Sequence, residues 1–294
     1  MDFNSLPAVT VLSDFVTITQ CGDNKIVRVI HPKASAAISL HGGHVLSYQP
    51  AGEHDLIWMS KEAVYDNATA LRGGIPICWP WFGRIAAPAH GFARTSEWSL
   101  IEHKENEQGV IISLGLNDSD TTREIWPHQF SLVLNVEIGD QLTVTLNMTN
   151  TDDKPWSYSG ALHSYFNVGD ITSTEVTGMG HSYIDGLLEG QRCEGSDTLA
   201  LTDTIDRVYT APEKDILIKD SRLNRTISVT NHGHNSAVLW NPWAAGAKAM
   251  GDMNDDGYQT FLCVESTLHA PTLEQGKQVS PGETAVLSTV IGIQ

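Results

Sequence analysis

Between residues 130 and 148 apolar and polar side chains alternate almost without a break, and only Gly139-Asp140 interrupts them. A period of two sends successive side chains to opposite faces of an extended chain, which a helix of period 3.6 cannot do. The pattern predicts strands Phe130–Ile138 and Gln141–Met148, joined as a hairpin through a two-residue turn. The same signature recurs along the chain. Phe15–Thr19, Ile26–Ile30, Val45–Tyr48, Gly109–Leu116, Ile216–Ile218, Thr226–Thr230, Ala237–Trp240, Thr260–Val264 and Ala285–Ile291 all read as strands. The one short helix expected is Asp118–Trp126, which opens on Asp-Ser-Asp and stops at Pro127. Many short strands without a linker or a fixed repeat point to an all-β fold. We expect a large antiparallel β-sandwich in which residues 1–294 form a single domain.

Composition narrows the partners. A formal net charge of −17 repels phosphate backbones, so nucleic acid is not expected to bind. No apolar run reaches the roughly 18 residues a membrane helix needs, and the N-terminus lacks a basic stretch followed by an apolar one. Cys21, Cys78, Cys193 and Cys263 form no C-x-x-C pair and read as reduced thiols, in keeping with a cytoplasmic protein.

One segment breaks the acidic pattern. Residues 67–96 contain Arg72, Arg84 and Arg94 and no Asp or Glu, although thirty residues of average composition would carry three or four acids. The runs LRGGIPICWPWFGR (71–84) and AHGFAR (89–94) add Gly, Pro and Trp. Guanidinium forks match phosphate or carboxylate oxygens, and Gly73-Gly74 lets a backbone approach a ligand closely. Any one arginine taken alone reads first as the partner of a distant acid; the segment as a whole reads as a ligand site.

Acid–base candidates come from context. His163 lies in Leu162-His163-Ser164-Tyr165-Phe166-Asn167, at the end of a strand-like run, and His90 lies in the arginine segment. Glu265 ends the apolar run Phe261–Val264, where burial would raise the pKa of an unpaired carboxyl; a solvent-facing strand end is the alternative. Asp206-Arg207 opens another strand and could be a local surface pair. The pairs His41/His44 and His232/His234 lack a complementary set of metal ligands, and the acidic run Asp252–Asp256 lacks the register of a calcium loop. No dinucleotide, P-loop or serine-hydrolase motif is present. Neither a metal nor a cofactor is expected.

In order, the segments LRGGIPICWPWFG, PAHGFAR, ALHSYFNVGD, DRVY and MGDMNDDGYQTFLCVES resemble the aldose 1-epimerase (galactose mutarotase-like) superfamily. Within it they are most similar to the hexose-6-phosphate mutarotase branch. The resemblance implies a β-supersandwich that interconverts the α and β anomers of a hexose 6-phosphate, without a cofactor. It implies that His163 and Glu265 are catalytic, that Arg72 and Arg94 bind substrate, and that His90 and Asp206 hold sugar hydroxyls. Arg84 receives no role from it, and Ala89 stands where some members have Gln. A free-hexose epimerase and a non-catalytic carbohydrate-binding sandwich remain the alternatives. The expected partner is a small sugar phosphate, and the expected assembly a monomer.

Mutarotation needs a base to take the proton from O1 and an acid to protonate the ring oxygen O5. Glu265 is expected as the base and His163 as the acid, which their intrinsic pKa values favour near neutrality.

Overall fold

The computed structural model describes residues 2–294. It is an antiparallel β-sandwich. A nine-stranded sheet runs in the order Thr198–Ala200, Thr174–Thr177, Asp215–Asp220, Arg225–His232, Thr284–Ile293, Leu142–Asn150, Phe130–Ile138, Gly109–Asn117, Ser99–Asn106. Against it lies an eight-stranded sheet whose middle strand is Phe261–Leu268, with Ser266 Oγ donating across to the carbonyl of Ser288 at 3.3 Å. An N-terminal five-stranded meander, from Ala8–Val11 to His44–Pro50, and the small ribbon Trp156–Tyr158 with Lys277–Val279 complete it.

The expected hairpin is present with one difference. Ile138 pairs with Leu142, so the turn holds three residues, Gly139 to Gln141. Gln141 is outside the ladder because its carbonyl accepts from the Gly139 amide across the turn (3.1 Å). The alternation does its expected work: Phe130, Leu132, Leu134 and Val136 point inward with Leu142, Val144 and Leu146 opposite. The expected helix is shorter, Asp120–Ile125, because Ser119 caps it through a reciprocal pair of bonds with Thr122. A second helix, Trp243–Ala249, was not expected; it lacks a side-chain N-cap bond and spans only seven residues.

The acid-free segment threads into the core. Trp79 is fully buried and meets Phe92, Trp126, Phe130 and Trp156 edge-on, at 4.6–6.1 Å between centroids. Two residues earlier, Ile77–Cys78 joins the eight-stranded sheet as an edge strand beside Gly160–Leu162. This pairing carries the arginine segment to the strand break that holds His163.

Candidate active site

The eight-stranded sheet builds the site from adjacent cross-strand rows. Gly160–Leu162 and Tyr165–Asn167 both pair with Phe261–Leu268, as Leu162↔Ser266 and Tyr165↔Cys263. His163 falls in the gap between them, and Glu265 falls in the matching gap of the partner strand. On its other side that strand pairs Glu265 with Val238 and Cys263 with Trp240, and Trp240 pairs with Asp206. Side chains opposite one another in such a ladder lie about 5 Å apart, so the register alone gathers His163, Glu265, Trp240 and Asp206. The strand continues past Glu265 to Leu268 and is buried on both faces. Glu265 therefore lies in mid-strand, where the sequence suggested an end; a Glu inside an apolar run reads locally as a terminus because strands disfavour it.

A cleft of about 470 Å³ opens over these rows. Arg72, His90, Arg94, His163, Asp206 and Glu265, all expected from the sequence, line it together. So do Phe82 and Arg84, which belong to the segment expected to bind a ligand although neither has an individual role from the sequence, and Trp240 and Met250, to which the sequence gives no site. The sequence signals Trp240 only as an aromatic ending the strand-like run Ala237–Trp240; its register with Asp206 comes from the fold. A hollow of about 540 Å³ near Ser99, Gly115 and Ser131 has Glu97 as its only titratable lining residue, so it lacks an acid–base pair.

His163 Nε2 lies 3.3 Å from Glu265 Oε1, with side chains 12% and 1% exposed. Among the described residues His163 Nδ1 and Glu265 Oε2 have no partner. Burial, with Asp206 nearby, pushes the Glu265 carboxyl well up. Burial, then His90, Arg94 and Arg72, holds His163 well below its ordinary value. Burial thus keeps the proton on Glu265 and leaves His163 neutral. This reverses the charge state expected from intrinsic pKa values, because a charged pair at this depth loses more hydration than it gains.

The arginines sit differently. Arg72 donates through Nε to Asp252 Oδ2 (3.1 Å) and through Nη1 to Tyr165 Oη (3.0 Å). The single-arginine alternative is therefore partly realised, with an acid 180 residues away. Asp252, the first acid of the run 252–256, is this counter-charge. Arg94 donates from Nη2 to the Ala89 carbonyl (3.0 Å), and its buried Nε has no partner among the described residues. Arg84 is exposed at the cleft. His90 accepts from the Gly83 amide at Nδ1 (3.3 Å), which leaves its Nε2–H free to donate. Burial and the arginines lower the His90 pKa to about 3, so it stays neutral. Asp206 does not pair with Arg207, which lies over the Tyr183 ring and 3.5 Å from Asp185. Burial and Asp185 raise the Asp206 pKa.

The His41/His44 pair supports the arginine segment from behind: the rings contact the carbonyls of Thr69 (2.9 Å) and Gly73 (2.7 Å). The ligand atoms of His163, Cys263 and Glu265 lie within 4.8 Å of one another. Burial pushes the Cys263 thiol well up, so it offers packing rather than a thiolate. Among the described residues no helix is long and apolar enough to cross a membrane.

Comparison with known proteins agrees with this geometry. The aldose 1-epimerase family model matches residues 25–291. A Salmonella typhimurium protein provisionally named glucose-6-phosphate 1-epimerase is 40% identical over 287 residues, covering 96% of this chain and 95% of that one. An Escherichia coli K12 protein with the same provisional name is 37% identical over 278 residues, covering 93% of each. The crystal structure of a Salmonella typhimurium protein provisionally named a mutarotase superposes with a TM-score of 0.92 at 38% identity, covering 99% of this chain and 97% of that one. With the model spanning most of the strands that build the cleft, this chain belongs to the aldose 1-epimerase family.

Proposed function

We propose that this epimerase interconverts the α and β anomers of a hexose 6-phosphate, with glucose 6-phosphate as the substrate to test first. One observation carries the reading: a buried His–Glu pair 3.3 Å apart shares its cleft with three arginines, one of which has a buried, unpartnered Nε. The provisional names of the relatives at 40% and 37% identity support the same substrate.

In this reading Glu265 takes the proton from O1 while His163 protonates O5, and the C1–O5 bond opens. Rotation about C1–C2 presents the other carbonyl face, and reversal of both transfers closes the ring. The pair must then hold imidazolium and carboxylate in the ring-closed complex. Substrate supplies the change. A phosphate dianion at Arg72 and Arg94 offsets the arginines' share of the field that, after burial and His90, keeps His163 neutral. Sugar hydroxyls donating to Glu265 stabilise its carboxylate. The proton then has 3.3 Å to cross from Glu265 to His163. Neutral His90 donates to one sugar hydroxyl and Asp206 accepts from another, and Trp240 offers an apolar face to the ring. Ring opening consumes and returns one proton, so the residues of the cleft suffice. The reading also includes a single domain acting as a cytoplasmic monomer, in keeping with one apolar core that joins Val16 to Ile291.

The test is two-dimensional exchange NMR of glucose 6-phosphate and of glucose, with and without the protein. Faster exchange of the phosphorylated sugar is expected. Equal acceleration of both sugars would favour a free-hexose epimerase, and binding without acceleration a carbohydrate-binding module.

A further inference from the structure

Tyr165 touches both halves of the cleft without lining it. Its hydroxyl accepts from Arg72 Nη1 at 3.0 Å, and its ring stacks on His163 with centroids 4.9 Å apart and planes 13° apart. The ring also stacks on Trp58 (5.9 Å, 18°) and packs against Phe261 (5.3 Å). Tyr165 is 2% exposed, and burial raises its pKa, so the hydroxyl stays neutral. On the other side of Arg72, Asp252 Oδ2 takes both Nε and Nη2 at 3.1 Å. Asp252 is itself fixed: its carbonyl accepts from Ser60 Oγ (2.7 Å), while the Ser60 amide donates to the Arg72 carbonyl (3.0 Å). One residue, Ser60, thus ties down both ends of the Arg72–Asp252 pair.

We propose that Asp252 and Tyr165 are positioning residues that make Arg72 and His163 one rigid unit. Asp252 and the Tyr165 hydroxyl set the direction of the guanidinium, and the Tyr165 ring sets the plane of the imidazole. Neither residue lines the cleft, so each acts through its neighbour. A long arginine side chain loses rotamer freedom when it grips an anion, and the prior contacts to Asp252 and Tyr165 meet that cost before substrate arrives. An imidazole that must face Glu265 in one phase and a sugar oxygen in the next needs its plane held while its proton moves. The stack does this without competing for either ring nitrogen. The proposal rests on the reading of Arg72 as a phosphate ligand and His163 as an acid.

The two functions of Tyr165 separate by substitution. Tyr165→Phe keeps the stack and removes the hydroxyl, so KM for glucose 6-phosphate should rise about fivefold or more while kcat stays within about twofold. Tyr165→Leu removes the stack too, so kcat should fall about tenfold or more; Tyr165→Met is the substitute if the leucine variant does not fold. Asp252→Ala should raise KM about tenfold with kcat nearly kept. In an Arg72→Ala background Asp252→Ala should add nothing, because its target is gone. A merely structural Asp252 would raise KM, or lower stability and rate together, regardless of Arg72. That result, or a Tyr165→Phe enzyme that loses kcat rather than KM, would overturn the proposal. Failure of the parent reading looks different: the unaltered protein would not accelerate exchange of glucose 6-phosphate, or Arg72→Ala would leave KM unchanged.

Discussion

His44 Nε2 lies 2.7 Å from the carbonyl oxygen of Gly73, and this buried contact sets the backbone that carries Arg72. Burial lowers the His44 pKa from 6.5 to about 3. Between these values the native state binds fewer protons than the unfolded chain, so the stability is intact above pH 6.5 and is lost as pH falls toward 3. By pH 4.5 the loss should be about 3 kcal/mol. His44→Gln keeps a donor but cannot titrate. Urea denaturation at pH 7 and pH 4.5 should show a smaller pH penalty in this variant; an equal penalty would refute the role of His44.

Gly74 answers to the same contact. Its φ is +70°, and an added Cβ would lie 2.3 Å from His44 Nε2 and 2.4 Å from the Val45 carbonyl. Gly74→Ala should therefore destabilise the protein by roughly 2 kcal/mol or more, through backbone strain and displacement of His44. A melting temperature near that of the unaltered protein would show that the loop can yield.

Glu265→Gln and His163→Ala should each lose about 10²–10⁴ of the catalysed anomerisation rate. The glutamine variant should not lose stability above neutral pH. The folded pKa of Glu265 is raised, so the group's contribution is complete below its unfolded value of 4.5 and declines as pH rises toward the folded value. An amide in its place removes that decline. Thermal melts at pH 5 and pH 8 alongside exchange NMR separate the two effects. Near-normal rates in either folded variant would remove that residue from the mechanism.

Arg72→Ala should raise KM for glucose 6-phosphate by about tenfold to a hundredfold, as befits a lost charge-assisted contact of about 1.5–3 kcal/mol. Glucose should be little affected. In the unaltered protein KM for the phosphorylated sugar should also rise as pH falls through about 6, where a phosphate monoester loses its second charge. Equal losses on both sugars would count against a phosphate role for this arginine.

Sequence reasoning located many of the strands because alternation is a local property, although others, such as Ala34–Ser39 and Ser99–Asn106, escape it. Each strand that it named is present, with ends moved by a few residues. It misjudged what depends on distant partners. The turn after Ile138 gained Gln141 through a backbone bond across the loop. Glu265 reads as a strand end because nothing nearby in the chain signals that a buried histidine waits opposite it. Helix Trp243–Ala249 carries no cap or clear period to announce it.

The order of the chain by itself determined the β architecture, the acid-free arginine segment and the motif set that singled out His163 and Glu265. Only the tertiary structure decided how they meet. Register across Phe261–Leu268 brings His163 and Glu265 to 3.3 Å from a separation of 102 residues, and Arg72 finds Asp252 across 180. It also decided their protonation. Intrinsic pKa values are properties of residues, but the cost of charging them is a property of burial, and at this depth burial places the proton on the carboxyl.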